Sequence, residues 1–100
     1  MKINIHASFE VNDYLKGIIE EKLTKIETFF SPILATDIFL RIADKRHTVA
    51  EEQIAEVRIN VPNHTFFAEE RSDSFEKAVA VASDKIRRQV IKFKEQLPKR

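Results

Sequence analysis

Phe75, Ala78, Val79, Ala82, Ile86, Val90, Phe93 and Leu97 recur at steps of three and four residues, with polar and charged residues between them. That spacing predicts a single amphipathic helix, ending at Pro98. Asp73 followed by Glu76 predicts a capping box at its start. A one-sided apolar stripe about six turns long has to be covered by an equally long apolar surface. In a chain of 100 residues that surface is a sheet, a second helix or both.

The rest of the sequence supplies both. Ile3, Ile5 and Ala7 alternate with polar residues and predict a strand over 2–7. Asn12 is placed to cap a helix over 13–30, with Leu15, Ile18, Ile19, Leu23, Ile26, Phe29 and Phe30 on its inner side. Gly17 weakens that helix by ~1 kcal/mol relative to Ala. Ser31-Pro32 closes it, since a residue before proline avoids the helical region. A second strand follows at 36–43 on Ile38, Leu40 and Ile42, then a polar loop over 44–52. Ala55, Val57, Ile59 and Val61 give the clearest alternation, and Pro62-Asn63 turns the chain into a short strand at 64–69. Either Phe66 or Phe67 faces inward there; alternation alone leaves both open.

The order β-α-β-β-β-α predicts an α+β domain covering 1–100. Its first two strands pair in parallel across the first helix, and the later ones form a meander. Both helices then cover one face of a four-stranded mixed sheet. The other face, with Phe39, Arg41, Glu56, Arg58 and Asn60, is expected to be wet.

Composition narrows the chemistry. Without cysteine there are no disulfides, thiolate metal sites or cysteine nucleophile. The start lacks the apolar stretch of a signal peptide, and no apolar run is long enough to span a bilayer, so a cytoplasmic location is expected. His6, His47 and His64 have no metal-ligand spacing. Ser31, Ser72, Ser74 and Ser83 lie in no nucleophile motif, and a single glycine rules out a glycine-rich phosphate loop. Adjacent acids such as Glu20-Glu21 and Glu69-Glu70 point to different faces of a helix or strand. No catalytic activity, metal or cofactor is expected.

Charge supplies the positive signal. The net charge is +1, yet seven bases stand between Lys85 and Arg100 against Glu95 alone. The preceding 84 residues hold ten bases and fifteen acids. On the last helix Lys85, Arg88, Lys92 and Lys99 fall within about 60° of one another, and Arg87 and Lys94 line the other flank. Cations at that spacing can each meet a different backbone phosphate and release its counterions. Lys22 and Lys25, at the border of the first helix's apolar side, extend this basic surface if the two helices pack side by side. Lys45, Arg46 and His47 in the long loop offer weaker, secondary contacts.

Lys22-Leu23-Thr24-Lys25-Ile26-Glu27-Thr28-Phe29-Phe30 resembles the K-[LF]-x-K-[LI]-E-x-[YF]-F signature that closes the first helix of ribosome hibernation-promoting factors. Asp73 to Ala78, then Asp84-Lys85-Ile86-Arg87-Arg88-Gln89-Val90 and Lys92-Phe93-Lys94, resemble that family's second helix. The start, Met1 to Ile5, is similar as well; Val79-Ala80 departs from the usual Ile-Asp pair. The resemblance implies a fold related to double-stranded-RNA-binding domains. It also implies docking on the small ribosomal subunit and its RNA, where messenger and transfer RNA otherwise sit, so that idle ribosomes are silenced. By position it makes Lys22, Lys25, Lys85, Arg88, Lys92 and Lys94 the principal RNA contacts; Lys45, Arg46, Arg87 and Lys99 are expected as secondary contacts from charge and spacing alone. The expected form is the short, tail-less one, monomeric off the ribosome, with no small-molecule substrate and no membrane partner. The rival readings are a free double-stranded-RNA binder and a protein-interaction module using the open sheet face around Phe39.

Overall fold

A computed structural model describes residues 1–43 and 52–97. Its elements are β1 (Ile3–Ala7), α1 (Asp13–Glu27), β2 (Ala35–Ile42), β3 (Gln53–Val61), β4 (His64–Ser72) and α2 (Phe75–Gln96). The strands form one sheet in the order β1-β2-β3-β4. β1 and β2 run parallel, with Ile5 opposite Ile38, and β2, β3 and β4 form an antiparallel meander.

Both helices lie on one face of the sheet. Period-two alternation sends Ile38, Leu40, Ala55, Val57, Ile59, Val61, Phe66 and Ala68 into that side, against Leu15, Ile19, Leu23 and Ile26 of α1 and Ala78, Val79, Ala82, Ile86 and Val90 of α2. Phe66 is 1% exposed while Phe67 is 42% exposed on the opposite face, which resolves the choice between them. Phe66 belongs to an aromatic end-cap of the core: Phe30 and Phe93 meet its ring edge-on, and His64 stacks on Phe93 at 4.4 Å.

Local chemistry sets the boundaries. The Oδ1 of Asn12 accepts from the Leu15 amide at 2.8 Å, capping α1 as its position predicts. The helix stops at Glu27, three residues short of the expected end. Thr28 turns its hydroxyl onto the Lys25 carbonyl, and the amides of Phe29 and Phe30 both return to the Ile26 carbonyl. Phe30 thereby leaves the helix and reaches the aromatic end-cap. The N-cap of α2 is Ser74, not Asp73: Ser74 is extended, and its Oγ accepts from the Lys77 amide at 3.2 Å. Asp73 lies outside the helix and pairs with Lys77, whose hydrogen bond holds its carboxyl below the usual aspartate range.

β4 continues past the expected residue 69 to Ser72, because β3 offers partners down to Gln53. Its polar residues there are held by cross-strand ion pairs, Arg41 with Glu69 and Arg71 with Glu52, each at 3.2 Å. Asn63, at the second position of the β3–β4 turn, has φ 64°, a left-handed conformation asparagine adopts readily. At the far end of α2 the apolar stripe outruns its cover, and Leu97 is exposed.

The open face is exposed to solvent, as its polar residues predict, and carries aromatic rings among them. His6 stacks on Phe39 with ring centroids 4.5 Å apart, and the Arg58 guanidinium lies 5.4 Å from the centre of Phe39 and 5.9 Å from that of Phe67. Ile54, placed by the strand register between Arg41 and Arg71, is buried outside the main core.

Candidate nucleic-acid interface

The basic residues of α2 divide between its two flanks. Toward β4, the Lys85 ammonium donates to the Glu69 carbonyl at 3.3 Å and pairs with Glu70 at 3.0 Å. That hydrogen bond, helped by the Arg71 amide, holds the Glu70 carboxyl below the usual glutamate range. One turn on, the Gln89 amide both donates to the Phe67 carbonyl (2.6 Å) and accepts from the Phe67 N–H (3.2 Å). A side chain thus satisfies the edge of β4, where the next strand of a sheet would pair.

Toward α1, Arg87 lines a groove of about 300 Å³ together with Lys22, Lys25, Ile26, Phe29, Ala80, Ser83 and Asp84. The side-by-side packing expected of the helices is present, but the lysines of α1 join the Arg87 flank. The Lys85 side of α2 faces β4 instead.

Asp84 corrects the view of α2 as a run of cations with Glu95 as its only acid. It accepts from Arg87 at 2.8 Å and pairs with Arg88 at 2.7 Å, and the Arg87 hydrogen bond lowers its carboxyl below the usual range. Counting charge from Lys85 onward leaves Asp84 just outside. Its position three and four residues before two arginines is the sequence signal that reveals the pairs. The acid that meets Lys85, Glu70, comes from β4, and no spacing along the helix reveals it. Lys25 pairs loosely with Glu21 at 3.6 Å, whereas Lys22, Lys92 and Lys94 form no ion pair with a described residue. Lys45, Arg46 and Lys99 lie outside the described residues, as do His47 and Pro98.

The cationic surface therefore consists of a groove between the helices, rimmed by Lys22, Lys25 and Arg87, and an outer line on α2 through Arg88 and Lys92. The pattern of one protein family, described as Sigma 54 modulation protein / S30EA ribosomal protein, matches residues 3–98. The chain belongs to that family. A ribosome hibernation promotion factor of Deinococcus radiodurans is 32% identical over 85 residues, covering 85% of this chain and 44% of that protein. One of Staphylococcus aureus is 29% identical over 98 residues, 97% of this chain and 50% of that protein. The chain spans about half the length of these curated relatives. Among solved structures, a ribosomal subunit interface protein from Coxiella burnetii has the same fold, with a TM-score of 0.76 at 22% identity over 96% of this chain and 100% of that one. The N-terminal domain of Thermus thermophilus Protein Y gives 0.75 at 22% identity over 93% and 97%. The expected order of strands and helices is that of the family.

Proposed function

We propose that this chain binds the small ribosomal subunit through its two helices and keeps idle ribosomes inactive by occupying the messenger and transfer RNA channel. The observation that carries the reading is the convergence of Lys22 and Lys25 with Arg87 across the helix–helix groove, in a chain of this family. Lys22, Lys25, Lys85, Arg88, Lys92 and Lys94 are the proposed contacts to ribosomal RNA phosphates, with Arg87, Lys99 and the loop residues Lys45 and Arg46 secondary. Phosphate contacts position a protein without reading sequence, and exclusion of transfer RNA needs no bond to be broken. The chain acts as one domain in the cytoplasm and catalyses nothing. Co-sedimentation with isolated small subunits tests this: the wild-type chain pellets with them, and Lys22→Glu with Lys25→Glu stays in the supernatant with its circular dichroism unchanged. Equal pelleting of the two would remove the helical face as the binding surface.

A further inference from the structure

The groove between α1 and α2 has two kinds of wall. Ile26, Phe29 and Ala80 give it an apolar side with one aromatic ring, and Lys22, Lys25 and Arg87 bring three cations to it from two helices. Asp84 lies on the same wall, but its carboxylate is already covered by Arg87 and Arg88, and the Glu21 partner of Lys25 stands off at 3.6 Å. Ser83 also lines the groove, is 4% exposed, and has an Oγ with no hydrogen-bond partner. A buried hydroxyl without a partner calls for an explanation, and rotation to another staggered χ1 changes where it points.

These features select a ligand class. A bare anion gains nothing from Ile26 and Phe29, and an apolar ligand gains nothing from the cations. An acidic peptide lacks backbone partners here, since both walls are helices whose amides bond internally. A volume of about 300 Å³ is at the lower end of ligand clefts. We propose that the groove seats one nucleoside phosphate, its base against Phe29 and its phosphate among Lys22, Lys25 and Arg87. The Ser83 hydroxyl, covered in its present rotamer, reaches the ligand only when its χ1 turns toward the groove. The nucleotide comes either from ribosomal RNA, turned out of its stack, or from the free pool as a ligand that competes with RNA for the same cations. Such a seat stands whether or not the chain binds a ribosome.

The probe is adenosine 5′-monophosphate, titrated against the isotope-labelled chain and followed by amide chemical shifts, with inorganic phosphate as the comparison. The expected shifts fall on residues 22–29 and 80–87, with inorganic phosphate at least about tenfold weaker because it leaves the apolar wall unused. Phe29→Ala weakens nucleotide binding about five- to a hundredfold, the range for loss of a base–aromatic stack. Phe29 also packs against the core, so Ala80→Phe, which fills the groove from the surface of α2, serves as the second variant; it abolishes nucleotide binding while the thermal transition stays sharp. Phe29→Ala, which leaves all three groove cations in place, identifies the source. A roughly fivefold or greater loss of small-subunit affinity in Phe29→Ala points to a ribosomal nucleotide; unchanged subunit affinity points to a free one. Absence of amide shifts up to about 10 mM nucleotide, where even millimolar sites are mostly filled, overturns the assignment whatever the subunit assay shows. If instead the chain binds no small subunit, the ribosomal reading fails and the nucleotide titration still decides this one.

Discussion

Gly17 is the fifth of the fifteen residues of α1, inside the helix and exposed, with nothing within 4 Å of where a Cβ would stand. Gly17→Ala is therefore expected to raise stability by about 0.5–1 kcal/mol, read as a shift in urea midpoint at constant slope. Thr36 presents the opposite case. It is fully buried on the core face of β2, and its hydroxyl has no partner. A buried unmet hydroxyl costs about 1–3 kcal/mol, so Thr36→Val is expected to be neutral or stabilising, although threonine-to-valine changes are usually harmful. A loss of more than about 1 kcal/mol in the same titration would mean the hydroxyl finds a partner in solution. Gly17 is legible in the sequence as a weak point of its helix, but the buried hydroxyl of Thr36 is not. Threonine is ordinary in a strand, and only the packing of α1 and α2 over β2 shows that this one is sealed.

At the scale of elements, α2 connects stability to function. Ile86 is fully buried under the middle of the helix, and Ile86→Ala should cost about 2–5 kcal/mol by chemical denaturation. The pair between Lys85 and Glu70 ties the same stretch of helix to β4 and depends on pH. The folded Glu70 carboxyl titrates below its ordinary value, so the pair's contribution is complete above the usual glutamate range and is lost as pH falls through the lowered value. Glu70→Gln should therefore be less stable than wild type at neutral pH, with the gap closing in acid; a gap independent of pH would rule the pair out as its cause. The core phase of α2 was legible because periodicity reports which face is buried, and the parallel start of the sheet because a helix connects its two strands as a crossover. The pairing of Glu70 with Lys85, and which neighbour each of the two cationic flanks faces, were not. Both depend on which neighbour lies beside each flank, and spacing within one helix contains no such information. The Asp73 and Ser74 case is subtler: both residues are good caps, and the choice was made by the extended backbone at Ser74.

For the whole molecule the decisive quantity is charge, because the net value of +1 conceals where unpaired cations stand. If binding to the small subunit comes from RNA phosphates, the logarithm of affinity falls linearly with the logarithm of salt, each contact adding a slope of about −0.7 to −0.9. Engagement of half to two-thirds of the six principal cations gives three or four contacts, hence a slope of about −2 to −4. The structure adds a ranking to that total. Lys22 and Lys92 pair with no described acid, so Lys22→Ala or Lys92→Ala should each make the slope shallower by nearly one contact's worth. Lys85 has to release Glu70 before it can meet a phosphate, so Lys85→Ala should change the slope less than either. Asp84→Asn frees Arg87 and Arg88 from their internal partner, and it should raise affinity severalfold at low salt. A partner on the open sheet face would behave differently. Its contacts around Phe39 and Phe67 carry no counterion term, so affinity would be nearly flat in salt and would drop with Phe67→Ala. One set of titrations with these variants against isolated small subunits separates the two surfaces. A steep slope that responds to Lys22 more than to Lys85 assigns binding to the unpaired cations of the helical face, and a flat one moves it to the opposite side of the sheet.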